Sequence, residues 1–296
     1  KLKRSVAETG RLIISDRAHV VLPIHRQIEE ALDRSPKMLK YGSTKRGIAQ
    51  AYQFKAAKVG LQVGELLAPE AELRDRLEAA VEFANIFFRG LGHAEATVDE
   101  TLEYLRPLIE RLAPYIANPV PAIRRLLAEG KQVLVEGQLG TLRDLDWGIY
   151  PYTTSSNPIA GFATVGAGVP PAAIEKVLGI VKAYSTCVGD GPFVTEISGE
   201  QADRIRQVGK EYGAATGRPR RIGWFDAVAT RHGAMIQGAT SLCVTLLDVL
   251  SCVETLRVCT RYRVGDDETD EFPVFHALKR AEPVLEDMPG WSVPIT

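Results

Sequence analysis

The chain has 296 residues, of which 45% are hydrophobic and 25% are charged, a composition typical of a globular protein with a large buried core. Lys and Arg number 36 against 37 Asp and Glu, so the charge balance predicts neither a nucleic-acid partner nor a membrane partner. No apolar run approaches the roughly 20 residues of a membrane span, and the charged start is not followed by a signal-peptide core, so we expect a cytoplasmic protein.

Two long amphipathic helices are predicted between residues 66 and 117. Leu, Val and Phe residues recur there at helical spacing, and such stripes are typical of side chains that pack into a core. A shorter helix is predicted from Pro121 to Glu129, where Gly130 ends it. The next segment, Gln132 to Glu136, is predicted to be a short buried strand.

A loop rich in Gly, Thr, Ser, Pro and Asn occupies residues 137 to 170, and a loop of this length is usually functional. Helices and strands alternate after it: the predicted helices are Pro171 to Ala183, Gly199 to Tyr212 and Trp224 to Gln237, and the predicted strands are Ser241 to Leu247 and Leu256 to Arg263. This alternation predicts one α/β domain over residues 1 to 296. We expect a mainly parallel central sheet, flanked by helices, with long functional loops at the strand ends.

Three arginines lie within four residues in the loop from Thr216 to Arg221. Arg218, Arg220 and Arg221 repel one another unless an acid or an anionic ligand neutralises them. Arginine also binds carboxylate and phosphate groups through two parallel hydrogen bonds. The cluster therefore predicts an anion site, with a solvated basic turn as the alternative. The helix predicted next favours a structural role for Arg221.

Several other loops offer polar groups to a ligand. Residues 41 to 47 supply two hydroxyls, two cations and two glycines, which suit a phosphate, although a surface turn has the same composition. Residues 137 to 141 and 153 to 157 present further polar groups, each of which alone is more often a turn. Asp248 follows a predicted strand, where its carboxylate could accept hydrogen bonds from a base or cap a helix.

Taken in order, these segments resemble the adenylosuccinate synthetase family along nearly the whole chain. The stretches that carry the resemblance are Ser15 to His19, Gly42 to Gly47 with Ala51-Tyr52, Glu136 to Thr141, Tyr150 to Asn157, Lys182 to Glu196, Thr216 to Asp226 and Met288 to Trp291. Members of this family bind inosine monophosphate (IMP), aspartate and a Mg²⁺-nucleotide. They phosphorylate the purine 6-oxygen, and the aspartate amine then displaces that phosphate. The resemblance implies a cytoplasmic, homodimeric, GTP-binding carbon–nitrogen ligase of purine biosynthesis.

The resemblance also implies a set of ligands for the acceptor nucleotide. Thr44 corresponds to a ligand of the nucleotide phosphate, and Thr154 and Val188 correspond to residues that line the same nucleotide. Arg218 corresponds to a residue between nucleotide and aspartate. Lys58 stands where the family has an arginine that reaches the nucleotide phosphate of a neighbouring subunit, and it keeps the charge but loses the planar fork.

A second set of residues is implied for aspartate and for the donor nucleotide. Thr216, Arg218 and Arg220 correspond to the groups that bind the aspartate carboxylates, which agrees with the anion site predicted from the arginine cluster. Arg220 also corresponds to a ligand of the donor nucleotide, and Asp248 to the acid that binds its base. Mg²⁺ is the implied metal, and its family ligands are not among the residues of this chain.

The chain departs from the family pattern at several positions. Leu139 replaces an amide side chain near the purine 6-position, Ala215 replaces a threonine of the aspartate loop, and Leu246 replaces the lysine that flanks the guanine beside Asp248. The last change leaves ATP open as the donor. The family's phosphate loop, its catalytic aspartate and histidine, and its guanine-closing C-terminal segment have no counterpart in the sequence. We therefore assign no catalytic residue, and we expect a domain that is incomplete at both ends.

Two alternatives stay open at this stage. One is a family relative with altered nucleotides, which would accept a guanine nucleotide and use an adenine nucleotide as donor. The other is a binding module for nucleotide or aspartate without catalytic activity. A phosphate loop encoded upstream of Lys1 would distinguish a ligase from such a module.

Overall fold

We describe a computed structural model of the chain, which covers residues 12–35, 42–213, 217–291, 293 and 295. Its contacts divide it into two compact units. Unit 1 contains residues 12–35, 45–135 and 167–169, and unit 2 contains residues 42–44, 136–166 and the described residues from 170 onward. Over these described ranges, no helix has both the length and the apolar character required to cross a membrane.

Unit 1 is mainly helical. Its helices are α1 (Pro23–Asp33), α2 (Ile48–Ala56), α3 (Glu70–Leu91), α4 (Val98–Leu112) and α5 (Val120–Ala128). Two short strands, β1 (Ile14–Ser15) and β2 (Ile116–Ala117), pair in parallel. The two long helices predicted between residues 66 and 117 are confirmed as α3 and α4, and the shorter one is confirmed as α5.

Local capping signals determine where α3 ends and where α4 begins. Gly92 follows α3 with φ 65°, a left-handed conformation that glycine adopts without steric cost. Thr97 precedes α4, where its hydroxyl accepts from the amide of Glu100 and the Glu100 carboxylate accepts from the amide of Thr97. The apolar stripes of both helices then form the core of unit 1, in which Leu77 and Leu105 are almost completely buried.

A histidine is buried beside that core. The Nδ1 atom of His25 accepts from the amide of Leu22 at 3.0 Å, and its ring meets the edge of Phe54 with centroids 4.4 Å apart. Its Nε2 atom is buried without a hydrogen-bond partner among the described residues. Burial, with a smaller contribution from His19, lowers the pKa of His25 from 6.5 to about 4. The folded protein therefore holds this imidazole in its neutral form.

We expect His25 to make unit 1 less stable in mild acid. Below about pH 6.5 the unfolded chain binds a proton at this residue, whereas the folded chain does so only near pH 4. The contribution of neutral His25 to the free energy of unfolding is therefore fully present above pH 6.5. It is lost as the pH falls toward 4, by up to about 3 kcal/mol. Urea denaturation across this range should show the slope, which His25→Gln should reduce and His93→Gln should retain. An unchanged slope in His25→Gln would contradict the assignment.

Unit 2 contains three small sheets. In the first, β3 (Leu178–Lys182) pairs in parallel with β8 (Ser241–Thr245). In the second, β4 (Ser185–Cys187) and β5 (Glu196–Ile197) are antiparallel to β6 (Arg221–Gly223). In the third, β9 (Thr255–Val264) is antiparallel to β10 (Asp267–Thr269) and β11 (Ala281–Pro289) and parallel to β7 (Phe225–Asp226). The remaining helices are α6 (Ala163–Ala167), α7 (Glu200–Val208), α8 (Ala227–Gln237) and α9 (Phe275–Leu278).

The α/β class is confirmed, but the strands form several small sheets with mixed pairing rather than one mainly parallel central sheet. Two predicted elements are wrong. Gln132 to Glu136 forms no strand, and Leu134 is 92% exposed, because no other described strand pairs with this segment. The helix predicted from Pro171 to Ala183 is instead a 3₁₀ turn, Pro171–Ala173, followed by β3. Pairing with β8 decides the conformation of this short apolar run, which local sequence leaves ambiguous.

A buried acid anchors α8 in unit 2. One carboxylate oxygen of Asp226 accepts from the amide of Ala229 and caps the helix, and the other accepts from the hydroxyl of Tyr262 at 2.5 Å. Tyr262 is 1% exposed and belongs to β9, so the helix and the third sheet are joined through one side chain. These two hydrogen bonds fix the position of helix α8, on which loops of unit 2 pack.

Candidate functional site

The glycine-rich loop between residues 137 and 170 is anchored on α8. The side-chain amide of Gln237 donates to the hydroxyl of Thr141 at 3.0 Å, and its oxygen accepts from the amide of Ala160 at 2.7 Å. The Thr141 hydroxyl also lies 3.4 Å from the carbonyl of Gly233 and is in position to donate to it. One glutamine thus joins the beginning of the loop to a point some twenty residues further along, and the segment between them is held in place.

Two of the predicted nucleotide ligands, Thr44 and Val188, lie on segments that touch. Gly42 has φ 73°, and a Cβ atom built there would lie 2.8 Å from the Cα atom of Gly189. Such a contact is too close for any side chain, so glycine at this position permits the approach. Gly42, two residues before Thr44, therefore packs directly against Gly189 and Asp190, which follow Val188.

The third predicted ligand, Thr154, is joined to the same place by Arg143. The amide of Thr154 donates to the carbonyl of Arg143 at 2.8 Å. The Arg143 guanidinium donates through Nη1 to the carbonyl of Tyr152 at 2.5 Å and through Nη2 to the carbonyl of Val188 at 3.2 Å. The loops that carry Thr44, Thr154 and Val188, distant in sequence, are thereby in contact with one another.

Arg221 contacts the segment that follows Val188. Its guanidinium forms an ion pair with Glu196 and donates to the carbonyls of Gly189 and Gly191 at 3.3 and 2.9 Å. It also lies 5.4 Å from the ring centroid of Phe193. The hydrogen bond and charge of Glu196 raise the pKa of Arg221 above its ordinary value. These contacts agree with the structural role that the sequence favoured for Arg221.

A buried glutamate organises the neighbouring arginine loop. Glu211 is 2% exposed, and its Oε1 atom accepts from Lys182 Nζ and from the Tyr184 hydroxyl, each at 2.6 Å. Its Oε2 atom accepts from Arg220 Nη1 at 2.7 Å. The main chains are joined as well, because the amide of Arg220 donates to the carbonyl of Glu211 at 2.9 Å.

The ionisation of this group follows from its contacts. Burial opposes the charged form of Glu211, but the hydrogen bonds from Lys182 and Tyr184 and the charges of Lys182 and Arg220 outweigh it, so the pKa of the carboxyl lies below its ordinary value. Burial, together with the hydrogen bond to Glu211, raises the pKa of Tyr184 far above its ordinary value. Glu211 is thus a carboxylate and Tyr184 a neutral donor at neutral pH.

These partners change the interpretation of the arginine cluster. The sequence suggested an anionic ligand as the group that neutralises it, whereas Glu211 pairs with Arg220 and Glu196 pairs with Arg221. Crowding alone therefore does not require a ligand. The Nε atom of Arg220 is buried without a hydrogen-bond partner within the described part of the chain, so Glu211 satisfies only part of this guanidinium.

Two of the other predicted ligands of aspartate and of the donor nucleotide, Arg218 and Asp248, lie in unit 2. Arg218 is exposed in the loop before β6, where its carbonyl accepts from the amide of Gly213 at 2.8 Å. Thr216 lies outside the described residues. Asp248 is exposed at the start of the 3₁₀ turn Asp248–Cys252, three residues after the end of β8. Arg220 is joined to Tyr184 through Glu211, which accepts hydrogen bonds from both.

Two of the departures from the family occur in strained backbone. Leu139 has φ 81° and is 53% exposed, and Leu246 has φ 60° two residues before Asp248. Residues with bulky side chains rarely adopt positive φ, so the backbone conformation of Leu139 and of Leu246 has an energetic cost. The surrounding fold must stabilise that conformation. The side chain of Leu246 packs against the core around Tyr184 and Trp224, where a lysine would instead present an ammonium group.

Lys58 lies in unit 1, at the exposed turn that follows α2. Its φ of 62° is the left-handed conformation of a helix C-terminus, where glycine is the usual residue.

Across the described ranges, no group of three or more His, Cys, Asp or Glu side chains could hold a metal ion.

Three residues of the site carry no functional indication in the sequence, namely Glu211, Lys182 and Arg143. Lys182 stands in a stretch that carries the family resemblance, but nothing in its neighbourhood predicts a bond to an acid far along the chain. Two of the three acceptors of Arg143 are main-chain carbonyls, which leave no pattern in a sequence, and the third is the Cys187 thiol.

Comparison with known proteins identifies the family. The family model described as adenylosuccinate synthetase matches residues 1–296. The adenylosuccinate synthetase of Moorella thermoacetica is 47% identical over 294 residues, which cover 98% of this chain and 68% of that relative. The enzyme of Brevibacillus brevis is 43% identical over 290 residues, covering 97% of this chain and 68% of its own length.

Solved structures agree on the fold. Fully ligated adenylosuccinate synthetase from Plasmodium falciparum superposes with a TM-score of 0.87 at 28% identity, covering 99% of this chain and 71% of that chain. A cyanophage S-2L succinoaminodeoxyadenylate synthetase bound to dGMP and dATP has a TM-score of 0.51 at 17% identity, covering 81% of this chain and 59% of its own, which shows a likeness of fold alone. The chain belongs to the adenylosuccinate synthetase family of carbon–nitrogen ligases.

Proposed function

We propose that this chain is the acceptor-nucleotide and aspartate-binding part of a ligase that joins aspartate to IMP with hydrolysis of GTP. The observation that supports it most is the contact between the loops that carry Thr44, Thr154 and Val188. The roles of these residues come from the family resemblance, and the contacts between their loops are a separate line of support. Family membership over the whole chain supports the reaction class.

The chemistry divides into two steps in this proposal. Transfer of a phosphoryl group to the purine 6-oxygen makes that oxygen a leaving group, and the aspartate amine then forms the new C–N bond as phosphate departs with the oxygen and the amine loses a proton. Most of what such a reaction requires of the protein is positioning and electrostatic stabilisation. Arg218 and Arg220 would hold the aspartate carboxylates and aim the amine. No residue of this chain is assigned as the proton acceptor.

Magnesium would assist the donor phosphates, as in the family generally. The carboxylate, histidine and cysteine side chains of the described ranges form no three-ligand cluster.

The experiment is an assay of the full-length gene product with IMP, aspartate and GTP, in which each substrate is omitted in turn. We expect a succino-nucleotide product that requires all three. Product formed from a guanine nucleotide acceptor but not from IMP would contradict the proposal and favour the altered-nucleotide alternative. Nucleotide binding without turnover would favour the binding module.

We further propose a cytoplasmic homodimer in which Lys58 reaches the nucleotide phosphate of the partner subunit. Family membership and the exposed position of Lys58 support this assembly. Light scattering of the same preparation at micromolar concentration should give twice the subunit mass. A monomer would contradict it.

The donor nucleotide is where this chain departs most from its family. Because Leu246 cannot supply a charged hydrogen bond beside Asp248, we expect the preference for GTP over ATP to be weak, and Leu246→Lys to raise it by about one to two decades, or roughly 1.5 to 3 kcal/mol. The ratio of kcat/KM for the two donors measures the preference. Leu247→Lys, which adds the same charge one residue along, should leave that ratio unchanged. A strong GTP preference in the unmodified protein would contradict the expectation.

A further inference from the structure

We propose that Arg143 is a positioning residue that holds together the two segments lining the acceptor nucleotide. The inference rests on the proposed function, and it assigns a role to a residue that neither the sequence motifs nor the family resemblance indicates. One segment carries Thr154 and the other carries Val188.

The guanidinium bridges main chain to main chain. Nη1 donates to the carbonyl of Tyr152 at 2.5 Å, and Nη2 donates to the carbonyl of Val188 at 3.2 Å and contacts the Cys187 thiol. These two carbonyls lie far apart in sequence: one belongs to Val188 itself, and the other lies two residues before Thr154. A planar group with several fixed donors can satisfy both at once, whereas a single ammonium cannot do so with the same geometry.

The base of the side chain is fixed as well. Arg143 ends the 3₁₀ turn Thr141–Arg143, its amide donates to the carbonyl of Gly140 at 3.1 Å, and Thr141 is fastened to α8 through Gln237. The Arg143 carbonyl accepts from the amide of Thr154 at 2.8 Å. Backbone and side chain of one residue therefore connect helix α8, the Thr154 segment and the Val188 segment.

This arrangement separates a positioning role from a purely structural one. The hydrogen-bond acceptors of Arg143 are two carbonyls and a thiol, so its removal leaves no buried carboxylate unpaired. The loss of stability should consequently be modest, while the nucleotide loops lose their common spacing. Binding of the acceptor nucleotide should be weakened more than binding of aspartate, because the predicted aspartate ligand Arg220 is held by Glu211 and not by Arg143.

The test compares Arg143→Met, Arg143→Lys and a control, Arg204→Met, which alters an exposed arginine on α7. Calorimetric titration should give a Kd for IMP about tenfold higher in Arg143→Met, with an intermediate value in Arg143→Lys and no change in Arg204→Met. In the full-length gene product, the KM for aspartate should change less than about threefold, and the melting temperature should fall by only a few degrees.

Two outcomes overturn the inference in different ways. If unmodified protein binds IMP and Arg143→Met binds it equally well, or if the IMP and aspartate constants worsen together with a large loss of melting temperature, Arg143 is structural and the proposed function stands. If unmodified protein does not bind IMP at all, the positioning role and the proposed function both fail.

Discussion

Replacing Glu211 by glutamine is expected to lower the free energy of unfolding by about 3 kcal/mol and the melting temperature by roughly 10 °C. The carboxylate is 2% exposed and accepts hydrogen bonds from Lys182, Tyr184 and Arg220. Glutamine has nearly the same shape but no charge, so two partly buried cations would remain beside each other without compensation. Removing one partner of a buried ion pair is costly for this reason.

The control for this variant is Glu286→Gln, which removes the same charge from an exposed position on β11. It should change the free energy of unfolding by less than about 0.5 kcal/mol. Differential scanning fluorimetry of both variants is sufficient, because the expected difference is large. Equal melting temperatures for Glu211→Gln and unmodified protein would show that the cluster is solvated and does not hold the arginine loop.

The second large effect concerns the use of aspartate. Arg218→Ala should raise the KM for aspartate about 10- to 100-fold, the cost of losing a charged hydrogen bond of roughly 1.5 to 3 kcal/mol. Arg218 is exposed, so its removal should cost less than about 0.5 kcal/mol of stability. Arg220→Ala should raise the same KM and also lower the melting temperature, since Arg220 is a partner of buried Glu211.

The two arginines should therefore differ, because Arg220 pairs with a buried acid whereas Arg218 is exposed. Steady-state kinetics on the full-length gene product and melting curves on the same samples measure the two effects separately. Arg280→Ala, at another exposed arginine of unit 2, is the control and should change neither. An unchanged aspartate KM in Arg218→Ala would remove the arginine loop from the site.

The elements that sequence predicts well are those whose cause is local. Helices α3 and α4 have apolar residues at helical spacing, and their limits are set by Gly92 and by the reciprocal cap of Thr97 and Glu100. Strand β3 illustrates the opposite case, because the run from Leu178 to Lys182 is apolar enough for either structure. Its partner β8 lies some sixty residues further along the chain, beyond the reach of local pattern.

The site divides in the same way. A cluster of three arginines indicates an anion, and family motifs identify Thr44, Thr154 and Val188. The acids that neutralise the arginines cannot be assigned from sequence, because many carboxylates are available and only the fold selects Glu211 and Glu196. Main-chain acceptors, such as those of Arg143, have no sequence pattern at all.

The most direct test of the proposed reaction follows the 6-oxygen of IMP. IMP carrying a heavy oxygen isotope at that position is incubated with aspartate, GTP and the full-length gene product, and the inorganic phosphate released is analysed by mass spectrometry. We expect one labelled phosphate for each nucleotide joined to aspartate, because the phosphorylated oxygen leaves with the phosphate. Unlabelled phosphate, or label retained in the nucleotide while the triphosphate is consumed, would contradict the assignment of this chain to an IMP–aspartate ligase.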